Sequence, residues 1–468
     1  MTKHLIQAVL ISLLCAAGKG RADDNPIEIK AGESGVKASV DYGQIVHGYN
    51  SETGQDYNWQ VLRRSNIAVT RGARLGEHME INMGFGGVFF YVLPEQGGAP
   101  HTRLPKFGVG PVQAEFAYHF GDPENSLADL QLGIFQYKYN PDASNLGEYL
   151  LRSGTYPGFL VTGGFNLINS TAYQVNGAGL TFNLFQKNLK LAFLLPMENQ
   201  FAPMHSISPT FVATAKMIPG VELGAGIDCN HCIAAKPSQE SPAVHTTDDP
   251  SYMHWPTSYI LEAKKIKVAD ASQPSGFRDS VSVIRDTTQF YTFQGIKLMS
   301  RISIDPKAIF GLESHLNTPD LRVFAEMAVL GVKDYPFYYT DISRRIPIMF
   351  GMNLPTFKLL DILSVQGEYY NSMWTNDIDA VFELQRPVPA HQDYDPLNGP
   401  ETEAARAKRD NWHWSVYGKK SVSKAAAFYL QVANDHTRPF DYNIKPAKSP
   451  ITTRLSDFYY IFRIEVGI

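Results

Sequence analysis

Asp457–Ile468, DFYYIFRIEVGI, is the stretch on which the reading of this chain turns. Phe458, Tyr460, Phe462, Ile464, Val466 and Ile468 share one parity, and Asp457, Arg463, Glu465 and Gly467 share the other. Successive side chains of a strand point to opposite faces, so the run makes one apolar, aromatic surface and one that carries both signs of charge. A strand in a water-soluble sandwich also alternates, but it rarely needs six large apolar residues in a row up to its last position. A strand that crosses a bilayer needs about nine to eleven residues with lipid on one side and a polar lumen on the other, and this stretch has that length.

The same alternation recurs along the chain, and long helical periodicity does not. Met79, Ile81, Met83, Phe85, Phe89 and Tyr91 oppose His78, Glu80, Asn82 and Gly84; Val112, Ala114, Phe116, Tyr118 and Phe120 oppose Gln113, Glu115 and His119; Leu363, Val365 and Tyr369 oppose Ser364, Gln366 and Glu368. Trp412, Trp414 and Val416 oppose His413, Tyr417 and Lys419 in the same way. Ionisable side chains within such strands cost a few kcal/mol when they face lipid, which assigns them to the inner face. For any single strand a solvated sheet face explains the pattern equally well; its repetition favours the barrel.

Composition agrees. The 468 residues are 44% hydrophobic and 12% aromatic, with 24 Tyr and 27 Phe. Tyr and Trp suit the interfacial belts of a membrane barrel. The formal net charge of −4 argues against a nucleic-acid partner. At the amino terminus Lys3 and His4 precede an apolar run from Leu5 to Ala17 and a small-residue site at Gly20 to Ala22, the form of an export signal over residues 1–22. Residues 23–60 are then a periplasmic segment or an additional strand, and 61–468 the barrel with loop insertions at 230–287 and 375–410. The expected class is all-β, a transmembrane antiparallel barrel of about sixteen strands, with fourteen to eighteen as the range. Counting back from Ile468 gives sixteen candidates, including one at 157–169. That count puts the long connection 140–156 on the periplasmic side with the tight turns, and the short one at 75–77 outside.

After removal of the leader, Cys229 and Cys232 remain, spaced as Cys-Asn-His-Cys. In an oxidising compartment a local disulfide is the default. A redox pair lacks the usual βαβ setting, and a metal site built on Asp228, His231 and His245 lacks a second paired motif, so no metal or cofactor is read here. No phosphate-cradling glycine loop, His-Glu-x-x-His motif or nucleophile elbow appears. His119 and His413 are inner-parity histidines that a barrel enzyme could use, but a lumen-lining role is the commoner explanation.

The export signal, the recurrent strands and the closing strand together resemble bacterial outer-membrane β-barrel proteins of a porin-like kind. Tyr460, Phe462, Ile464, Val466 and Ile468 are similar to the ending that the barrel assembly machinery reads, although such endings usually close on Phe. Residues 140–158 (NPDASNLGEYLLRSGTYPG) and 345–357 (RIPIMFGMNLPTF) are similar to poorly characterised barrel proteins of cellulose-degrading bacteria, a family that brings no established substrate. The resemblance implies a Gram-negative outer membrane, with its lipid and the assembly machinery as partners.

The expected function is passive diffusion of small hydrophilic solutes through a pore lined by Glu80, Asn82, Gln113, Glu115, Gln366, Glu368, Lys419, Arg463 and Glu465. The alternative is a barrel-anchored surface protein whose loops bind polysaccharide or a partner, with Trp255 and Trp374 as flat stacking surfaces. Oligomers are common among diffusion channels, but no interface is legible in the sequence.

Overall fold

The computed structural model describes residues 29–50, 55–92, 106–152, 173–198, 205–233, 262–269, 274, 276–284, 295–311, 316–332, 342–370, 412–437, 451–452 and 454–467. Sixteen strands form one closed antiparallel wall. They are β1 (Ile29–His47), β2 (Val61–Leu75), β3 (Met79–Val92), β4 (Lys106–Phe120), β5 (Ala128–Tyr137), β6 (Tyr173–Leu184), β7 (Leu189–Pro196) and β8 (Thr210–Ile218). They continue with β9 (Val221–Asn230), β10 (Gly295–Ile304), β11 (Val323–Val329), β12 (Ile348–Asn353), β13 (Ile362–Tyr369), β14 (Trp412–Ser423), β15 (Ala426–Asn434) and β16 (Phe458–Gly467). Each strand pairs with its neighbours in sequence, and β1 closes the cylinder on β16. Antiparallel closure of this kind requires an even number of strands and leaves no unpaired edge.

One of the sixteen differs from the sequence count. The candidate at 157–169 lies outside the described residues, and β5 bonds directly to β6, with Ala128 opposite Phe182 and Tyr137 opposite Tyr173, so no wall strand stands between them. The place in the count is taken by β1, whose 19 residues pair with β16 on one side and β2 on the other. Its outward set is short, Val36, Ala38, Val40 and Tyr42 against Lys37, Ser39, Asp41 and Gly43, so a clear alternation spans less than half of the strand.

With this order the tightest turns and the longest connections lie at opposite rims, with 304–323 a longer link at the short-turn rim. The connections 75–79, 184–189, 218–221, 353–362 and 423–426 gather at one rim, and 47–61, 137–173, 230–295, 369–412 and 434–458 at the other. The short link after Leu75 therefore belongs with the tight turns, and the long one after Tyr137 with the long connections, which corrects both sequence assignments. Within 230–295, Glu262–Ala269 and Phe277–Ile284 form a separate two-stranded sheet outside the wall. The leader 1–22, Trp255, Trp374, the insertion 375–410 and Ile468 lie outside the described residues.

The exterior is apolar all the way round. Val40, Val69, Phe85, Val109, Leu132, Phe182, Phe193, Phe211, Ile227, Leu298, Met327, Phe350, Val365, Trp412, Leu430 and Ile464 give one exposed outward residue on each successive strand. Aromatic rings cluster near the rims, as in the Phe89–Phe107 stack (6.1 Å) and the Tyr369–Trp412 pair (4.7 Å). On β16, Tyr460, Phe462, Ile464 and Val466 keep to the outer parity, and Ile461, Arg463 and Glu465 alternate with them. The register shift between Gly84 and Phe85 turns Val112 inward, where its Cγ1 would stand 2.5 Å from a Cβ added at Gly86. Val112 thus leaves the outer set that strict alternation assigns to it.

Cys229 and Cys232 are not joined by a disulfide. Cys229 ends the outward series of β9 beside Ile227, and the chain turns at His231 with φ 53°, where the Cys232 N–H donates to the Cys229 carbonyl at 3.2 Å. Strand direction and the left-handed turn, more than sequence spacing, determine where the two thiols go.

Candidate functional site

The chain after β5 does not leave the barrel. Residues 138–151 turn back inside the wall, ending in a single helical turn, α1 (Tyr149–Arg152). Backbone conformation makes the reversal: Gly147 has φ 86° and Glu148 φ 59°. The positive φ is what calls for glycine at 147, and a Cβ there would also have to displace the tip of Met349, whose Cε would stand 2.5 Å away.

Glu326 on β11 anchors this segment. Its Oε1 accepts from the Tyr139 hydroxyl (2.8 Å) and the Tyr149 N–H (2.9 Å), and its Oε2 from Asn140 Nδ2 (2.6 Å). Gln366 Oε1 on β13 takes the N–H groups of Asn145 and Leu146, both at 3.1 Å. Asp142 receives the Ser303 hydroxyl (2.7 Å) and Arg322 NH1 (2.9 Å), while Asn145 Nδ2 reaches Asp435 (3.0 Å) and the Tyr149 hydroxyl reaches Glu368 Oε2 (3.0 Å). Leu146, Tyr149 and Leu150 pack with Met299, Phe324 and Met349 of the wall. Buried backbone groups in a non-regular segment must find partners, and here the wall's carboxylates and amides supply them. Glu326, Gln366 and Glu368 are 1%, 2% and 1% exposed, so they hold the segment rather than meet open water.

The other pore-lining candidates fall into two groups. On β3 to β5, Glu80 is half-buried and accepts from Arg74 Nε at 2.7 Å; Asn82 stands opposite Glu115; and Gln113 and Gln131 donate to the two oxygens of Glu115 at 2.7 and 2.6 Å. On β14 to β16, the Lys419 ammonium lies 5.3 Å from the Tyr429 ring centroid, and the Tyr429 hydroxyl donates to Glu465 at 3.2 Å. Arg463 donates to Asp41 at 2.6 and 2.9 Å, and Arg64 Nε donates to the same carboxylate. The structure therefore separates the nine into two lumen-facing groups and one pair, Gln366 and Glu368, beneath the inward segment.

Sequence reasoning missed the inward course of the segment, Asp142 included, and with it Glu326 and Asp435 as its partners. Their partners lie up to 290 positions away in the chain, as for Asn145 and Asp435. One signal was available: 140–151 concentrates Asn, Asp, Ser and Glu among Leu and Tyr without strand parity. His119 Nδ1 lies 2.7 Å from Asp129, which also accepts from Asn183 at 2.8 Å, a polar cluster near the short-turn rim.

A sixteen-stranded cylinder with an apolar exterior, an ionisable interior and a chain segment folded within it defines the architecture. The fold is a closed antiparallel β-barrel of sixteen strands. No family model matches the chain, and no curated protein matches it. Solved structures that it resembles include a mutant of the Rh. blastica porin, with 7% identity over 94% of this chain and 100% of that one and a TM-score of 0.40. Salmonella typhi OmpF, in a complex with daunomycin, has 9% identity over 95% and 99% of the two chains with a TM-score of 0.42. The outer membrane channel DcaP of Acinetobacter baumannii has 9% identity over 96% and 99%, with a TM-score of 0.41.

Near the long-connection rim of this barrel, His231 is fully enclosed, with Nδ1 2.5 Å from the Ser206 hydroxyl and its backbone N–H donated to the Ser208 hydroxyl at 2.8 Å. Burial, aided by the Lys297 charge, pushes its pKa down to about 3. At the opposite rim Asp305 caps the short helix α2 (Pro306–Phe310) by accepting from the Lys307 N–H at 3.1 Å. Burial alone raises the Asp305 carboxyl, but the Lys307 ammonium at 2.8 Å and Arg322 outweigh it and hold the pKa below its usual value.

Proposed function

We propose that this chain is an outer-membrane channel through which small hydrophilic solutes diffuse passively, with residues 138–151 forming one side of its narrowest level. The observation that carries the reading is the asymmetry of the interior. The segment is packed against β9 to β13, whereas the inner face of β3 to β5 keeps half-exposed, ionisable and amide groups at Glu80, Asn82 and Gln113. A wall whose outward side chains are apolar on every strand suits lipid, and a polar inner face suits water and solutes. The long connections then face outward from the cell, and the tight turns, the start of β1 and the end of β16 face the periplasm. The reading assigns no catalytic residue.

The test is conductance. The mature chain, folded in detergent and added to a planar bilayer, is expected to give stepwise, ohmic current increments. Bilayers that stay silent with protein whose folding is verified by heat-modifiable migration would overturn the channel. One observation favours the second reading, a barrel that anchors binding loops: Ile45, Tyr57, Leu62, Val88, Phe90, Tyr459 and Ile461 form a buried apolar cluster within the long-connection end of the wall. Silent bilayers combined with polysaccharide binding by intact cells would support it.

A further inference from the structure

Glu368 on β13, His413 on β14 and His436, two residues past the end of β15, meet within the wall. All three are buried, and one ligand-type atom from each lies within 4.8 Å of the others. The imidazoles have centroids 4.2 Å apart at 53°, and His436 Nε2 meets Glu368 Oε1. The surroundings set the state of each ligand atom. His413 Nδ1 lies 3.1 Å from the backbone carbonyl of Asn434 and 2.5 Å from its Oδ1. Asn434 Nδ2 is committed to the carbonyls of Arg454 (2.5 Å) and Asp457 (2.6 Å), so the amide cannot turn its nitrogen toward the ring. Carbonyl oxygens only accept; Nδ1 therefore carries the proton, and Nε2 keeps its lone pair. This is the outer hydrogen bond that metal-ligating histidines commonly make. On the carboxylate, the Tyr149 hydroxyl holds Oε2 at 3.0 Å, which leaves Oε1 to the histidines.

We propose that Glu368, His413 and His436 bind one transition-metal dication of the Zn2+ type. Two imidazole nitrogens and one carboxylate oxygen form a three-ligand zinc set that leaves a fourth position for water, and the nitrogens disfavour Mg2+ or Ca2+, which prefer oxygen. The ion would take the place of the proton between His436 and Glu368. It ties two wall strands to the connection after β15 and, through Tyr149, to the inward segment. The site does not depend on whether the barrel conducts.

The test uses tag-free mature chain in detergent micelles, stripped with a chelator and titrated with Zn2+ by calorimetry and with Co2+ by visible absorbance. The expected result is one equivalent bound, a Tm that rises with Zn2+, and ligand-field bands from Co2+. His413→Ala and His436→Gln, each checked for heat-modifiable folding, are expected to lower affinity by about tenfold or more, since even outer-sphere changes cost ~10–100-fold. A Cys229→Ser/Cys232→Ser double variant is expected to keep the full equivalent. Wild-type protein that takes up neither ion stoichiometrically, a folded His436→Gln variant with undiminished affinity, or loss of the equivalent in the cysteine double variant would each overturn the site.

Discussion

Glu326 holds the inward segment to the wall at three points. It receives the Tyr139 hydroxyl, Asn140 Nδ2 and the Tyr149 N–H from a segment that has no sheet to join. Hydrogen bonds to an ionised group contribute about 1.5–3 kcal/mol each. Glu326→Gln replaces one accepting oxygen by a donor among donors and is expected to loosen the segment without opening the wall. Its signature in bilayers is a larger and noisier conductance, with larger sugars entering in liposome-swelling assays, while the urea midpoint falls only modestly. At the rim above, His231 sets a pH dependence. Its pKa is about 3 in the fold against 6.5 for the ordinary side chain. Between those values the unfolded chain binds the extra proton, so the contribution of neutral His231 is fully present above about pH 6.5 and declines as pH falls toward 3. Unfolding midpoints measured from pH 7 to pH 4 are expected to fall in the wild type and to fall less steeply in His231→Gln.

Elements, more than single residues, explain how the cylinder closes. In register, Asp41 on β1 stands opposite Arg463 on β16 and Arg64 on β2, so one carboxylate serves two guanidinium groups across three strands. Arg64 and Asp41 are almost wholly buried and Arg463 is nearly so. Removing the shared partner leaves two buried cations beside one another, a change of about 3–5 kcal/mol by comparison with other broken buried pairs. Asp41→Asn is therefore expected to lower the urea midpoint sharply and to slow assembly in liposomes, and Arg463→Lys, which keeps a charge but loses the paired geometry, to fall between it and wild type. This seam also shows what was legible. Arg463 is an inner-parity residue of β16 by sequence alone, but its partner lies 422 positions earlier, in a strand whose alternation covers only a short stretch.

For the molecule as a whole, the interior is two-sided. The segment 138–151 occupies the side of β9 to β13, and across from it Glu80, Asn82 and Gln113 remain partly exposed, with Glu115 buried between its two glutamine donors. Ion selectivity should then follow the second side. Glu80→Gln with Glu115→Gln is expected to reduce cation preference in reversal-potential measurements, although Arg74 at 2.7 Å from Glu80 moderates the first and the amides of Gln113 and Gln131 the second. Glu368→Gln, buried beneath the segment, is expected to leave selectivity unchanged; an equal effect from Glu368 would mean that the two sides are wrongly assigned.

The sequence alone determined that the chain is a β-barrel, because strand parity is a local property: lipid tolerates few ions, so each crossing segment carries its own record of which face is out. The strand number came within reach for the same reason, though 157–169 stood in the count where β1 belongs. Tertiary structure alone decided the identity of the closing strand, the reversal of 138–151 into the lumen, and the groupings Asp41–Arg64–Arg463 and Glu368–His413–His436. Those depend on which residues a closed cylinder brings face to face, and because closure joins positions hundreds of residues apart, no periodicity within a single strand encodes them.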